Sequence, residues 1–220
     1  MCYSLEIIRH RYLSIPAPDY KFGVEVDVRD YNETLVISHD IPNEKSLSFE
    51  KFLKNVNPNI LLAINIKSSE IQQKLQNLLV KYKIENYFTF DWTMPELLNA
   101  IKNNLNCAFR VSEYEKNIIP QCKWAWVDSF HSIWYNEEYL TSLKNMGLKV
   151  ALVSPELHNR TNELERIRMI VDKINVDAVC TRYDGVFHGF FGRPTLIDKG
   201  KKAMAEACLS LREAFNKSAK

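Results

Sequence analysis

Glycine is scarce in this 220-residue chain, six residues in all, and no glycine-rich turn follows the first apolar run. That removes the phosphate-cradling opening of an open dinucleotide-binding sheet. The five cysteines, Cys2, Cys107, Cys122, Cys180 and Cys208, are odd in number, widely spaced and without a C-x-x-C pair. They argue against structural zinc and dithiol chemistry and point to buried thiols in a reducing compartment. Neither sign of charge prevails: 29 Lys and Arg stand against 27 Asp and Glu, for a formal net charge of +2. The basic residues form no stripe able to neutralise many phosphates, so no nucleic-acid polymer is expected as a partner. No apolar run approaches the ~18 residues of a membrane span. Glu6, Arg9, His10 and Arg11 also interrupt the stretch where a signal peptide would need its apolar core. The expectation is a cytoplasmic protein with no membrane span.

What is present suits a globular fold: 46% of the residues are hydrophobic and 25% charged, which excludes collagen-like, low-complexity and wholly disordered chains. A single domain over residues 1–220 can bury roughly 70% of the surface its unfolded chain exposes. Such a core needs no metal, so any metal would serve chemistry. Short apolar runs recur at Leu5 to Ile8, Gly23 to Val28, Leu61 to Ile66, Tyr87 to Phe90, Cys107 to Val111, Trp124 to Val127, Lys149 to Val153 and Ala178 to Cys180. Leu35 to Ser38 reads as the return arm of a hairpin through Asn32 and Glu33. Helical periodicity marks Ser48 to Asn55, Ser69 to Tyr82, Met94 to Asn103, Glu137 to Asn145, Asn162 to Ile174 and Lys201 to Lys217. Thr93 with Glu96 fits a capping box, Thr161 or Asn162 a cap, and Gly147 a helix stop before the next strand. This alternation predicts a parallel sheet with crossover helices, either a closed eight-stranded barrel or an open doubly wound sheet.

In a parallel barrel the chemistry sits at the carboxyl ends of the strands. Here those ends carry Arg9-His10-Arg11, His39-Asp40 and Asn65-Ile66-Lys67, while the second run contains Glu25-Val26-Asp27. Glu25 and Asp27 alternate with Val24, Val26 and Val28, so both carboxylates point to one face of the strand. Two carboxylates in an apolar setting repel each other and lose hydration. A shared divalent cation would relieve that cost, and so would pairing each with a neighbouring Arg or Lys. His10 and His39 add a possible base and acid for displacement at phosphorus.

Taken in order, H-R, E-x-D, H-D and x-I-K resemble the glycerophosphodiester phosphodiesterase family, whose motifs H-R-G, E-x-D, H-D and E-x-K lie on successive strands of a TIM-type barrel. The likeness covers the first third of the chain; beyond Lys67 it rests on strand rhythm and on Thr181. It implies a TIM-type (β/α)8 barrel in which His10 and His39 are the catalytic pair and Arg11 and Lys67 contact phosphate. Glu25 and Asp27, with Asn65, would hold a divalent ion, Mg²⁺ or Ca²⁺. Three departures stand out. Asn65 occupies the place of a third acidic ligand. Tyr12 replaces the glycine after H-R, and the short Ser14 to Lys21 stretch leaves the first crossover helix lost or reduced. Only Ile41 to Asn59 separates His39-Asp40 from the third strand, so the pocket is expected to be open there.

Further strand ends supply Asp128, Glu156 and Arg110 as candidates to line the substrate pocket. Asp91 reads as a turn former, Glu113 as a partner of Arg110, and His158, His131 and Trp134 as loop residues. Asp184 to Arg193 spaces three glycines among aromatics without matching a phosphate-loop motif. The C-terminal helix over about residues 201–217 is amphipathic and could close the barrel or join two copies into a homo-oligomer. The expected activity is metal-dependent hydrolysis of a small glycerol-, sugar- or nucleotide-linked phosphodiester. The alternatives are a catalytically degenerate barrel that binds a phosphorylated metabolite or partner, and a lyase that releases a cyclic phosphate.

Overall fold

The computed structural model describes residues 5–17 and 19–182. The predicted helix over residues 201–217 and the Asp184 to Arg193 segment lie outside them. Ten strands form one sheet. In chain order the elements are β1 (Glu6–Arg9), β2 (Gly23–Tyr31), β3 (Thr34–Ile37), β4 (Leu47–Ser48), α1 (Phe49–Asn55), β5 (Leu62–Ile66), α2 (Gln72–Lys81), β6 (Tyr87–Phe90), α3 (Met94–Lys102), β7 (Ala108–Val111), β8 (Trp124–Val127), α4 (Glu137–Asn145), β9 (Lys149–Val153), α5 (Leu164–Ile174) and β10 (Ala178–Thr181).

Eight of these strands run parallel in the cyclic order β1-β2-β5-β6-β7-β8-β9-β10, with β10 pairing back onto β1. Seven seams are continuous ladders. The eighth, between β6 and β7, is a single parallel bridge from Thr89 to Cys107, reinforced by the Thr89 N–H donating to the Asn106 carbonyl at 2.8 Å. The architecture is therefore the expected α/β barrel, with one thin seam. Among the described residues no helix separates β1 from β2, as the Tyr12 departure implied, and none separates β7 from β8.

Alternation along each strand divides the core in two. Val24, Val26, Val28, Leu62, Ile64 and Ile66 belong to an outer layer with the apolar faces of the helices. Ile8, Ala63, Phe88, Phe90, Trp124, Trp126 and Cys180 fill the barrel itself. Phe90 stacks on Trp126 with centroids 4.2 Å apart, and Phe88 on Trp124 at 4.6 Å, so the interior beneath the mouth is dry and close-packed. Gly23 opens β2 where this filling is tightest: a Cβ there would lie 3.0 Å from the Leu61 carbonyl oxygen and 3.2 Å from Ile8 Cγ1.

Local expectations fared unevenly. Asn32 and Glu33 both take positive φ, 45° and 62°, which matches the twist of a two-residue hairpin between β2 and β3. The short strand β4, which extends this hairpin to three strands, has no sequence signal of its own. Gly147 ends the α4 turn at φ 83° as expected. Thr93 caps α3 but forms no capping box: its hydroxyl bonds the Glu96 carboxylate, which instead accepts the Glu70 N–H at 2.7 Å and ties α3 to the loop before α2. Helix α5 begins at Leu164, two residues later than expected, with Glu163 as its cap, because residues Thr161–Glu163 form a 3-10 turn.

Two stability outcomes follow from this packing. Gly23→Ala presses a methyl against fixed backbone and should cost about 1–3 kcal/mol, whereas Gly147→Ala meets no atom within 4 Å and should lose only the left-handed backbone preference, about 1 kcal/mol. Urea titration of the two variants checks the order. Thr89→Val should cost about 1–3 kcal/mol, because it strips the buried Trp92 indole N–H of its acceptor, the Thr89 hydroxyl at 2.9 Å, beside the thin seam.

Candidate active site

The inward face of each strand turns polar at its carboxyl end. Glu25 and Asp27 project into the barrel from β2, each 1% exposed. Register sets Glu25 beside Ala63 and Asp27 beside Asn65 of β5; the small Ala63 leaves room next to Glu25, and the Asn65 amide lies at the height of Asp27. The Asp27 carboxylate faces the His39 Nδ1 at 3.1 Å through one oxygen and the Lys67 ammonium at 3.5 Å through the other. Arg29, on the same face of β2, fixes both partners by donating to the His39 carbonyl at 3.0 Å and the Lys67 carbonyl at 3.3 Å.

Glu25 has less compensation. Its carboxylate accepts the Arg11 backbone N–H at 2.7 Å and stands 3.9 Å from His10 Nε2. Arg11 takes a left-handed conformation, φ 50°, and this turns its N–H toward Glu25. Burial first, and then the Asp27 charge, push the Glu25 carboxyl above its usual range, against the Arg11 N–H, Lys67 and Asn65. The same burial, assisted by the positive charges of Arg11 and Arg182, holds His10 down to about 3, so its imidazole is neutral. Two buried polar atoms here have no hydrogen-bond partner, Asn65 Oδ1 and His10 Nδ1.

Across the mouth lies a second, closed network. The Arg110 guanidinium makes a two-pronged bond to Asp91, at 2.9 and 2.6 Å, and a third bond to Asp128. Asp128 also meets His158 Nε2 at 2.7 Å and accepts the Ser129 N–H at 2.8 Å. Glu113 does not pair with Arg110; it collects the backbone N–H groups of Phe130, His131 and Ser132 and is held down to about 2, their bonds outweighing its partial burial. Glu156 bonds the Ser154 and Thr181 hydroxyls and the Arg182 N–H, and so clasps the ends of β9 and β10 together.

A cavity of about 190 Å³ opens between the two networks. His10, Arg11, Glu25, Asn65, Arg110 and Asp128 line it over a floor of Phe90 and Trp126. Asp27, His39, Lys67 and Glu156 are not among its lining residues; the first three meet one another beside it, through the Asp27 carboxylate. His158, read from sequence as a loop residue, also lines the cavity. It sits in a 3-10 turn, Pro155–His158, directly after β9, and only its place beyond a strand end could have marked it. Asp91 likewise belongs to the mouth, although its positive φ of 63° fits the turn role as well.

The oxygen donors Glu25, Asp27 and Asn65 suit a hard divalent cation: two carboxylates crowd together and an amide oxygen beside them lacks a partner. Among the described residues no group of three or more His, Cys, Asp or Glu side chains could hold a metal ion, so the amide would have to complete the set. Both ways of relieving the paired acids are thus built in part. Asp27 has its cations, and Glu25 does not.

A scan against protein-family models finds no match, and neither does a search of curated protein sequences. Among solved structures the chain is similar to a glycerophosphodiester phosphodiesterase from Thermotoga maritima, with a TM-score of 0.59 and 16% identity over 81% of this chain and 94% of that one. A glycerophosphodiester phosphodiesterase from Agrobacterium tumefaciens matches with a TM-score of 0.57 and 12% identity, over 81% and 97%. An Oleispira antarctica phosphodiesterase, solved in complex with the product sn-glycerol-3-phosphate, matches with a TM-score of 0.55 and 13% identity, over 80% and 92%. Among the described residues no helix is long and apolar enough to cross a membrane. The fold of this chain is that of the glycerophosphodiester phosphodiesterases, in agreement with the motif order.

Proposed function

We propose that the protein is a phosphodiesterase that hydrolyses a small glycerophosphodiester or a related glycerol-, sugar- or nucleotide-linked diester, using a divalent ion and two histidines. The observation that carries this reading is the placing of two imidazoles, from the loops after β1 and β3, against the two acids of β2: His10 stands 3.9 Å from Glu25 and His39 3.1 Å from Asp27. The fold shared with enzymes of that activity supports it.

Glu25, Asp27 and Asn65 would hold Mg²⁺ or Ca²⁺, which supplies Lewis-acid stabilisation of a non-bridging phosphate oxygen. Arg11 and Lys67 act on the same oxygens as fixed positive charges, so the charge that develops in the transition state meets them already in place. His10 is the base. Its ring is neutral before substrate enters, chiefly through burial and then through the cations nearby, and an anionic diester offsets those cations, which raises its affinity for a proton as the attacking oxygen is drawn in. His39 is the acid. An ionised carboxylate only accepts hydrogen bonds, so Asp27 accepts one from Nδ1–H and orients the ring so that a proton on Nε2 can pass to the departing alkoxide.

His10→Ala and His39→Ala should each lower kcat on a glycerophosphodiester panel by about 10²–10⁴-fold while retaining a cooperative melt, and EDTA should abolish turnover until Mg²⁺ or Ca²⁺ is restored. Turnover unchanged in either variant would remove that histidine from its role; ligand-induced stabilisation without turnover by the wild type would make the chain a binding protein instead. Asn65→Asp adds a third carboxylate to the donor set. Calorimetric titration with Mg²⁺ should show affinity rising about tenfold, while the metal-free variant melts lower than the wild type; no change in affinity would remove residue 65 from the site.

A further inference from the structure

The cavity has a second wall that phosphoryl transfer does not use. Arg110 binds Asp91 by two bonds and Asp128 by a third, and Asp128 also bonds His158 Nε2 and the Ser129 N–H. The imidazole is therefore held in one orientation. With Nε2 engaged, Nδ1 is the only other polar atom of the ring, and among the described residues it has no hydrogen-bond partner. Phe130 packs edge-on against the same ring, centroids 5.0 Å apart, and His158 lines the cavity together with His10, Glu25 and Asn65. His158 is near enough to His10 for its charge to act on that ring. One substrate lying against His10 can therefore reach His158 as well.

We propose that His158, positioned by Asp128, is a specificity-determining residue that hydrogen-bonds a hydroxyl of the substrate's alcohol group, so that the site selects a polyol phosphate over a phosphate carrying a plain alkyl group. This rests on the hydrolytic reading above and names the part of the substrate it left open. The Arg110 network explains why the ring can discriminate. An imidazole free to turn could meet either alcohol equally, whereas one locked by a buried carboxylate keeps its other nitrogen in one direction, which a ligand hydroxyl can satisfy and an alkyl group cannot. The volume agrees with this: about 190 Å³ accommodates a phosphate and one small polyol, and the second alcohol of a diester must extend outward.

The test compares binding of sn-glycerol 3-phosphate with binding of methyl phosphate, which has the same phosphate and no hydroxyl, by calorimetry in the presence of Mg²⁺. The wild type should prefer glycerol phosphate by about ten- to a hundredfold. His158→Ala and His158→Gln should both abolish that preference by weakening glycerol phosphate, with the Kd for methyl phosphate unchanged. Asp128→Asn should reduce the preference without abolishing it, a graded loss that destabilisation alone would not confine to one ligand. Preference surviving in both His158 variants, an equal loss for the two ligands, or no preference in the wild type would overturn the proposal. Turnover is read on the same preparations. A wild type that hydrolyses a glycerophosphodiester but shows no preference overturns the His158 assignment alone. A preference lost in the variants of a protein without turnover upholds His158 and removes the hydrolytic reading, and failure of both phosphates to bind removes both.

Discussion

The arrangement at the barrel mouth answers one demand, the burial of two carboxylates on the same face of the same strand. Glu25 and Asp27 are each 1% exposed, and taking an ionised carboxylate out of water costs several kcal/mol unless charges and hydrogen bonds repay it. The loop after β1 supplies Glu25 with a backbone N–H only because Arg11 adopts a left-handed conformation, and a chain that kept β geometry there would aim that N–H elsewhere. The loops after β3 and β5 supply Asp27 with His39 and Lys67, and Arg29 pins both loops by their carbonyls. Three loops distant in sequence thus take their shapes from one pair of acids.

The aromatic filling below makes those interactions count. Phe88, Phe90, Trp124 and Trp126 keep water out of the barrel's centre, so charges above them are screened less than at a surface. Two polar networks share this setting and differ in completeness. Around Arg110 each charge meets an opposite charge, and the guanidinium stays protonated because Asp91 and Asp128 outweigh its burial. Around Glu25 the balance is incomplete: its carboxyl is pushed up, His10 is pushed down, and two polar atoms have no partner. A saturated network holds shape, while one with unmet demand is where a ligand gains most by entering.

Much of this was legible in the residues, for reasons that can be named. The strands are short β-branched or aromatic runs whose alternation survives burial, so Tyr87–Phe90, Trp124–Val127 and Lys149–Val153 could be delimited to the residue. The pair Glu25 and Asp27 stood out because two acids interrupt a valine alternation, which only a special environment tolerates. His158 was not legible. A 3-10 turn has no long periodicity, and a histidine in Pro155–His158 gains meaning only when Asp128, thirty residues earlier, is brought beside it. Partner choice was equally hidden: Arg110 and Glu113 are close in sequence, yet strand alternation turns Arg110 inward to Asp91 and Asp128 while Glu113 reaches across to the loop after β8. The β4 extension and the failed capping box at Thr93 show the same limit, since tertiary contacts with Val36 and Glu70 decide them.

The amide at position 65 makes sense in these terms. Its register partner is Asp27, and Glu25 is close enough to Asp27 for each charge to act on the other, so a carboxylate there would gather three acids on two neighbouring strands. Lys67 and His39 already attend Asp27, and the Arg11 N–H is committed to Glu25. A third charge would have no partner of its own and would bind the stability of the barrel to the presence of a cation. An amide removes that dependence. In the proposed metal site it would still offer an oxygen to a hard ion, with a weaker hold that the negative charge of an incoming phosphate would help to offset. In the reading proposed above, the amide lets the two acids stay buried with the cations and the N–H they already have, and any ion would arrive with the substrate.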